Sequence, residues 1–105
     1  MPKNGRVTEE DVAIGVLKVL ADRPTGQATF RTLIKEIPKH IALSDADRKV
    51  SKTRPNEEMW EQQVRNITSH HDAPGNYIFE GYLERVKDGL RITDAGRSHL
   101  ASLGG

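Results

Sequence analysis

A chain of 105 residues, 35% hydrophobic and 30% charged with a formal net charge of +1, has the material for one modest core but not for a second domain or a deep enclosed cavity. With no cysteine, disulfides, thiolate metal sites and thiol nucleophiles are excluded. Bulk charge does not announce nucleic acid, so any such reading must rest on local clusters.

Residues 1–7 are polar and read as a flexible N-terminus. Thr8 is an N-cap, followed by Glu9, Glu10 and Asp11 where the helix dipole favours negative charge. Val12, Ala13, Val16, Leu17 and Leu20 recur at helical spacing, with Ile14 and Val19 extending the apolar surface nearly all round. A buried helix is expected over residues 8–22, stopped near Pro24 and Gly26. "GQAT" is a candidate short strand. Thr29 caps a second helix whose Phe30, Leu33, Ile34 and Ile37 form an amphipathic stripe ended or kinked by Pro38.

Ser44 is a candidate cap for a single turn. "RKVSKTR" then carries Arg48, Lys49, Lys52 and Arg54 with no acid. Pro55 and Asn56 signal a third helix, "NEEMWEQQVRNITSHH". At ~100° per residue from Trp60, Val64, Ile67 and His71 fall on the Trp60 side, and His71 is expected to pack beneath that face. Gln62, Arg65, Asn66 and Ser69 point away from it. "DAPGN" breaks the helix, and Ile78, Phe79, Tyr82 and Leu83 are apolar anchors.

Asp88-Gly89 reads as a two-residue type I′ hairpin turn. Val86, Leu90 and Ile92 are expected to face the core, and Arg85, Lys87 and Arg91 the solvent. Thr93 or Asp94 caps a last helix to about Ser102, with Ala95, Leu100 and Leu103 as packing candidates. The terminal Gly-Gly reads as a frayed end, and no internal repeat or linker is visible.

The expected fold is mainly α with a small β-hairpin. Its order of three helices, hairpin and helix is that of a winged helix-turn-helix spanning residues 8–103. An all-helical bundle with an incidental hairpin is the alternative. Arg, Asn and Gln match the donor and acceptor pairs on base edges, which makes Gln62, Arg65, Asn66 and Ser69 candidates for base contact. Arg48, Lys49, Lys52 and Arg54 are candidates for phosphate contact, as are Arg85, Lys87 and Arg91 on the hairpin. Each cluster also has a plainer explanation: a solvated helix face, a solvated loop, and charges guarding an edge strand. Glu57, Glu58 and Glu61 would repel phosphate, though they also suit a helix N-terminus.

No catalytic set stands out. His70 and His71 point in different directions and do not form a metal pair, and His40 and His99 have no sequence partner. Neither a catalytic triad order, a Gly-rich phosphate loop nor a nuclease motif is present. No enzyme activity, cofactor or metal is expected.

"LSDADRKVSKTRPNEEMWEQQVRNITSHH…NYIFEGYLERVKDGLRITDAGRSHL" resembles the winged-helix domain at the N-terminus of Mrr-type restriction endonucleases, and similar modules beside HNH nucleases. The resemblance rests on Trp60, Val64, Arg65, Asn66, Ser69 and His70, then Gly81-Tyr82-Leu83, Arg91-Ile92-Thr93 and Gly96-Arg97. It covers roughly residues 40–100 and fades toward residue 8. "W-x-x-x-V-R-N-x-x-S-H" is the narrower motif, while "RIT-x-x-G-R" recurs in many winged helices. The resemblance implies target recognition on DNA, without a nuclease core in this chain.

The expected partners are double-stranded DNA and either a second copy of the chain or a separate nuclease or regulatory protein. A protein-interaction module of the same fold without DNA binding is the alternative. No apolar run approaches the roughly 18 residues of a membrane span, and "MPKNGRVTEED" lacks a signal segment. A cytoplasmic protein with no membrane partner is therefore expected.

Overall fold

A computed structural model describes residues 7–50 and 56–103. They form helix α1 (Glu9–Ala21), strand β1 (Gln27–Thr29), helix α2 (Phe30–Glu36) with a 3-10 turn (Ile37–Lys39), and helix α3 (Glu61–Ser69). Strands β2 (Leu83–Val86) and β3 (Gly89–Ile92) and helix α4 (Asp94–Ser102) follow. The domain is mostly helical with one antiparallel three-stranded sheet in the order β1-β3-β2.

Local chemistry explains most helix ends. Thr8 and Asp11 form a reciprocal capping box at α1: the Thr8 side chain accepts from the Asp11 N–H at 3.1 Å, and the Asp11 carboxylate from the Thr8 N–H at 2.9 Å. Thr29 caps α2 and Thr93 caps α4. Pro38 sits in the first turn of the 3-10 segment, where its missing N–H costs nothing. Helix α1 is buried on nearly all sides through Val12, Val16, Leu17 and Leu20. It is the central rod, packed by α2, α3, α4 and β3. Val7, at the boundary of the expected flexible segment, is buried, and its N–H donates to Asp47 Oδ1 at 2.8 Å.

The third helix begins at Glu61 rather than at Asn56. The preceding residues are taken up by tertiary bonds. Val50 and Glu58 form an antiparallel bridge, the Met59 N–H donates to the Lys49 carbonyl at 2.7 Å, and the Trp60 N–H to the Asp47 carbonyl at 3.0 Å. Trp60, Val64 and Ile67 are buried as expected. His71 is exposed, because α3 has already ended at Ser69. Asn76 terminates this region: its buried amide donates to the Ile67 carbonyl and to Glu9, and its oxygen accepts from the Ile78 and Phe79 N–H groups. Leu83 is buried, while Phe79 stays 52% exposed and is not an anchor.

In the hairpin, Val86 pairs with Gly89, so the two turn residues are Lys87 and Asp88. Asp88 has φ 59°, and Gly89 does not have positive φ. The type I′ expectation, which needs positive φ at both central residues, is therefore not met. Gly89 has a different task. A Cβ there would lie 2.8 Å from both the Ala28 carbonyl carbon and Thr29 Cα, and closer still to the Ala28 oxygen.

Register corrects a second expectation. Directly opposed residues share a face, and Arg85 pairs with Leu90 while Glu84 pairs with Arg91. Val86 therefore shares the outer face with Glu84 and Arg91, and Leu83, Leu90 and Ile92 fill the core. In α4, Leu100 packs on the core, whereas Ala95 and Leu103 are exposed.

An aromatic cluster seals α1 against α4. The Tyr82 and His99 rings stack at 4.1 Å between centroids, and Tyr77 meets both edge-on. The Tyr77 hydroxyl lies 3.0 Å from His99 Nε2 and 3.4 Å from Glu10 Oε2.

Two measurements test this packing. Gly89→Ala should cost about 3 kcal/mol, as overpacking against backbone does, read as a lower urea midpoint. Burial, followed by the nearby Glu10 charge, pushes the Tyr77 phenol up to about 12. Its ordinary value is about 10. The folded state thus holds this proton more tightly, giving stability that is complete below pH ~10 and lost as pH rises through ~12. Phenolate absorbance should show a late-ionising tyrosine that vanishes in Tyr77→Phe.

Candidate functional site

Helix α3 turns its apolar side to α1 and its polar side outward. Arg65 and Ser69 are exposed, and Gln62 and Asn66 are half-buried. All four line a shallow groove of about 690 Å³ between α2 and α3. Phe30 and Ile34 of α2, with Val64 of α3, supply its apolar lining, and Arg31, Glu57 and Glu61 its charge. The four expected base-contacting residues are thus brought together.

Their side chains are not all idle. Arg65 Nε donates to both oxygens of Glu57, at 3.0 and 2.9 Å, and Nη2 donates to Oε2. The hydrogen bond to Glu57 raises the Arg65 pKa above its ordinary value. Desolvation opposes this, and the charges of Glu57 and Glu61 add to it. Asn66 Nδ2 donates to Gln63 Oε1 at 3.1 Å.

The turn before α3 carries two of the expected phosphate-contacting residues. Asp47 builds it: its buried carboxylate accepts from the Ser44 N–H at 2.9 Å and from the Ser44 hydroxyl at 3.1 Å, while Ser44 Oγ accepts from the Asp47 N–H at 3.2 Å. The Val50–Glu58 bridge then fixes Arg48 and Lys49 beside the start of α3. Arg48 and Lys49 are exposed, and Arg48 Nη2 lies 3.5 Å from Glu58 Oε1. The same Glu58 oxygen accepts from Trp60 Nε1 at 2.9 Å. Lys52 and Arg54 lie outside the described residues.

On the hairpin, Arg85, Lys87 and Arg91 are exposed, but they do not form one tip cluster. Arg91 lies on the outer sheet face in an ion pair with Glu84. Lys87 is at the turn, next to Asp88, whose carbonyl accepts from the Phe30 N–H at 2.8 Å. Phe30 thus lines the groove with its side chain while its backbone N–H holds the hairpin turn, so the start of α2 links the two elements.

Sequence reasoning missed Arg31 and the role of Glu57. Arg31 and Lys35 stand four apart, away from the buried Leu33, which is a readable pattern once the core stripe of α2 is removed. Glu57 was expected to serve a helix dipole, but α3 starts four residues later and Glu57 reaches Arg65 instead. His70 Nδ1 lies 2.8 Å from Glu9 Oε1. No set of three or more His, Asp or Glu able to hold a metal ion exists among the described residues. No helix among them is long and apolar enough to cross a membrane.

No family model, no curated protein and no solved structure matches this chain.

The Arg65–Glu57 pair is half-exposed on the arginine side, at 52%. Such pairs are screened and contribute little. Glu57→Gln should therefore lower unfolding stability by no more than about 1 kcal/mol, measured by urea denaturation with an unchanged far-ultraviolet spectrum.

Proposed function

We propose that the chain is a double-stranded DNA-binding domain of the winged-helix class. In this reading α3 enters the major groove with Gln62, Arg65, Asn66 and Ser69 toward the bases, and the β2–β3 hairpin lies on the flanking backbone. The observation that carries it is the link through Phe30, which lines the α2–α3 groove while its N–H holds the hairpin turn at Asp88. The reading requires one duplex to meet both elements. Element order supports the same class, as does the resemblance carried by Trp60, Val64, Arg65 and Asn66.

The charge pattern sets the expected strength. Arg48, Arg65 and Arg91 each pair with a carboxylate, so they release few counterions on meeting phosphate. Lys49, Arg85, Lys87 and Arg31 remain for that purpose.

A second reading, a protein-interaction module, is favoured by those same neutralised arginines and by the exposed Phe79. Salt dependence separates the two. In a mobility-shift titration with mixed-sequence duplex, log affinity should fall against log salt with a slope of about −3.5, from four phosphate contacts. Lys52 and Arg54 would each add about −0.9 if they engage. Arg65→Ala should cost about 1–3 kcal/mol on an enriched site. A flat salt response would remove the DNA reading and leave the protein module.

A further inference from the structure

We propose that Glu57 is a positioning residue that turns Arg65 from a general phosphate contact into a reader of guanine. This inference rests on the DNA-binding reading above and concerns how that surface selects its target.

A guanidinium carries five N–H donors in a rigid plane. Glu57 occupies one side of that plane, the edge formed by Nε and Nη2. The end edge, formed by Nη1 and the second Nη2 hydrogen, makes no hydrogen bond among the described residues. Two parallel donors there match O6 and N7 of guanine, the commonest specific contact of arginine in the major groove. Arg65 remains 52% exposed while the Glu57 side chain is only 15% exposed, so the carboxylate is the seated partner and the arginine the outward one. The two residues stand eight apart, and the pair spans from the segment before α3 to the exposed side of the helix.

Charge works in the same direction. A free arginine binds any phosphate and adds affinity without sequence information. With Glu57 bonded to it, Arg65 brings almost no net charge to the backbone, and Glu61 nearby further disfavours phosphate. A guanine edge is uncharged and loses less by this than a phosphate does. Discrimination comes from penalising the wrong contact as much as from making the right one.

The test uses the full chain and a randomised duplex pool. The wild type should enrich guanine at one position of the selected sites. Glu57→Gln should flatten that enrichment, bind mixed-sequence duplex more tightly, and steepen the log–log salt slope by about 0.9, one extra phosphate. The Glu57→Gln/Arg65→Gln double variant removes both charges of the pair, so it should abolish the guanine enrichment yet keep the wild-type slope. Arg65→Gln alone should also abolish the enrichment, with weaker binding to mixed-sequence duplex because Glu57 is left uncompensated, and it decides the enrichment if Glu57→Gln fails to fold. The proposal is overturned if a duplex-binding wild type and Glu57→Gln share enrichment and slope, if Arg65→Gln keeps the guanine enrichment, or if the double variant's slope falls a full phosphate below that of the wild type. A wild type that binds no duplex in low salt would remove the parent reading, and this inference with it.

Discussion

The N–H of Phe30, given to the carbonyl of Asp88 at 2.8 Å, is the bond on which the geometry of the surface depends. It joins the first residue of α2 to the turn of the hairpin. It exists because β1 runs antiparallel to β3, with Thr29 opposite Gly89. That pairing requires a residue without Cβ at position 89. A two-stranded hairpin alone is marginal in water; a third strand, with α1 packed against β3, makes it a fixed part of the domain. Helix α2 is thereby held at one end by the sheet and along its length by α1 and α3.

The other end of the surface is set by Asp47. Asp47 is 1% exposed, and its carboxylate takes three donors, from Val7 N, Ser44 N and Ser44 Oγ. A buried carboxylate is tolerable only with such a set. The Asp47 carbonyl receives the Trp60 N–H, the contact at which α3 begins. One residue thus ties the N-terminal segment, the turn bearing Arg48 and Lys49, and the first turn of α3. The cost is helix length: residues that propensity alone would assign to α3 spend their backbone groups on the bridge to residues 47–50.

Much of this was legible in the sequence wherever a short-range rule governs. Thr8, Thr29 and Thr93 announce three helix starts because a cap needs only the next three residues. The Trp60, Val64, Ile67 stripe announces a buried face because helical period is local. What escaped was set by partners far along the chain. Asp88-Gly89 looks like a turn pair, but the glycine answers to Ala28, some sixty positions earlier. Glu57 looks like a dipole acid until the helix is seen to begin after it. His71 falls on the core side of a helix that stops too soon to carry it there. The α3 face grouped as expected, since one helix fixes it. The hairpin cations did not, since strand register decides which of them share a face.

Net charge near zero conceals a pattern. Three arginines at or near the proposed interface carry their own carboxylates: Arg48 with Glu58, Arg65 with Glu57, and Arg91 with Glu84. With each arginine about half-exposed, such pairs are weak stability devices. Their effect falls on the surface. Each removes a diffuse attraction for phosphate, and Arg65, bonded through both Nε and Nη2, is left with a fixed plane. Affinity of a basic face grows with every free cation and falls with salt, while sequence preference grows only with donors aimed at base edges. A small domain with one short helix has few such donors. Holding them still and withholding charge from the backbone improves discrimination without adding a residue to the contact. On the proposed DNA-binding reading, the acids before and within α3, which at first count against a nucleic-acid surface, become the feature that separates recognition from mere attraction.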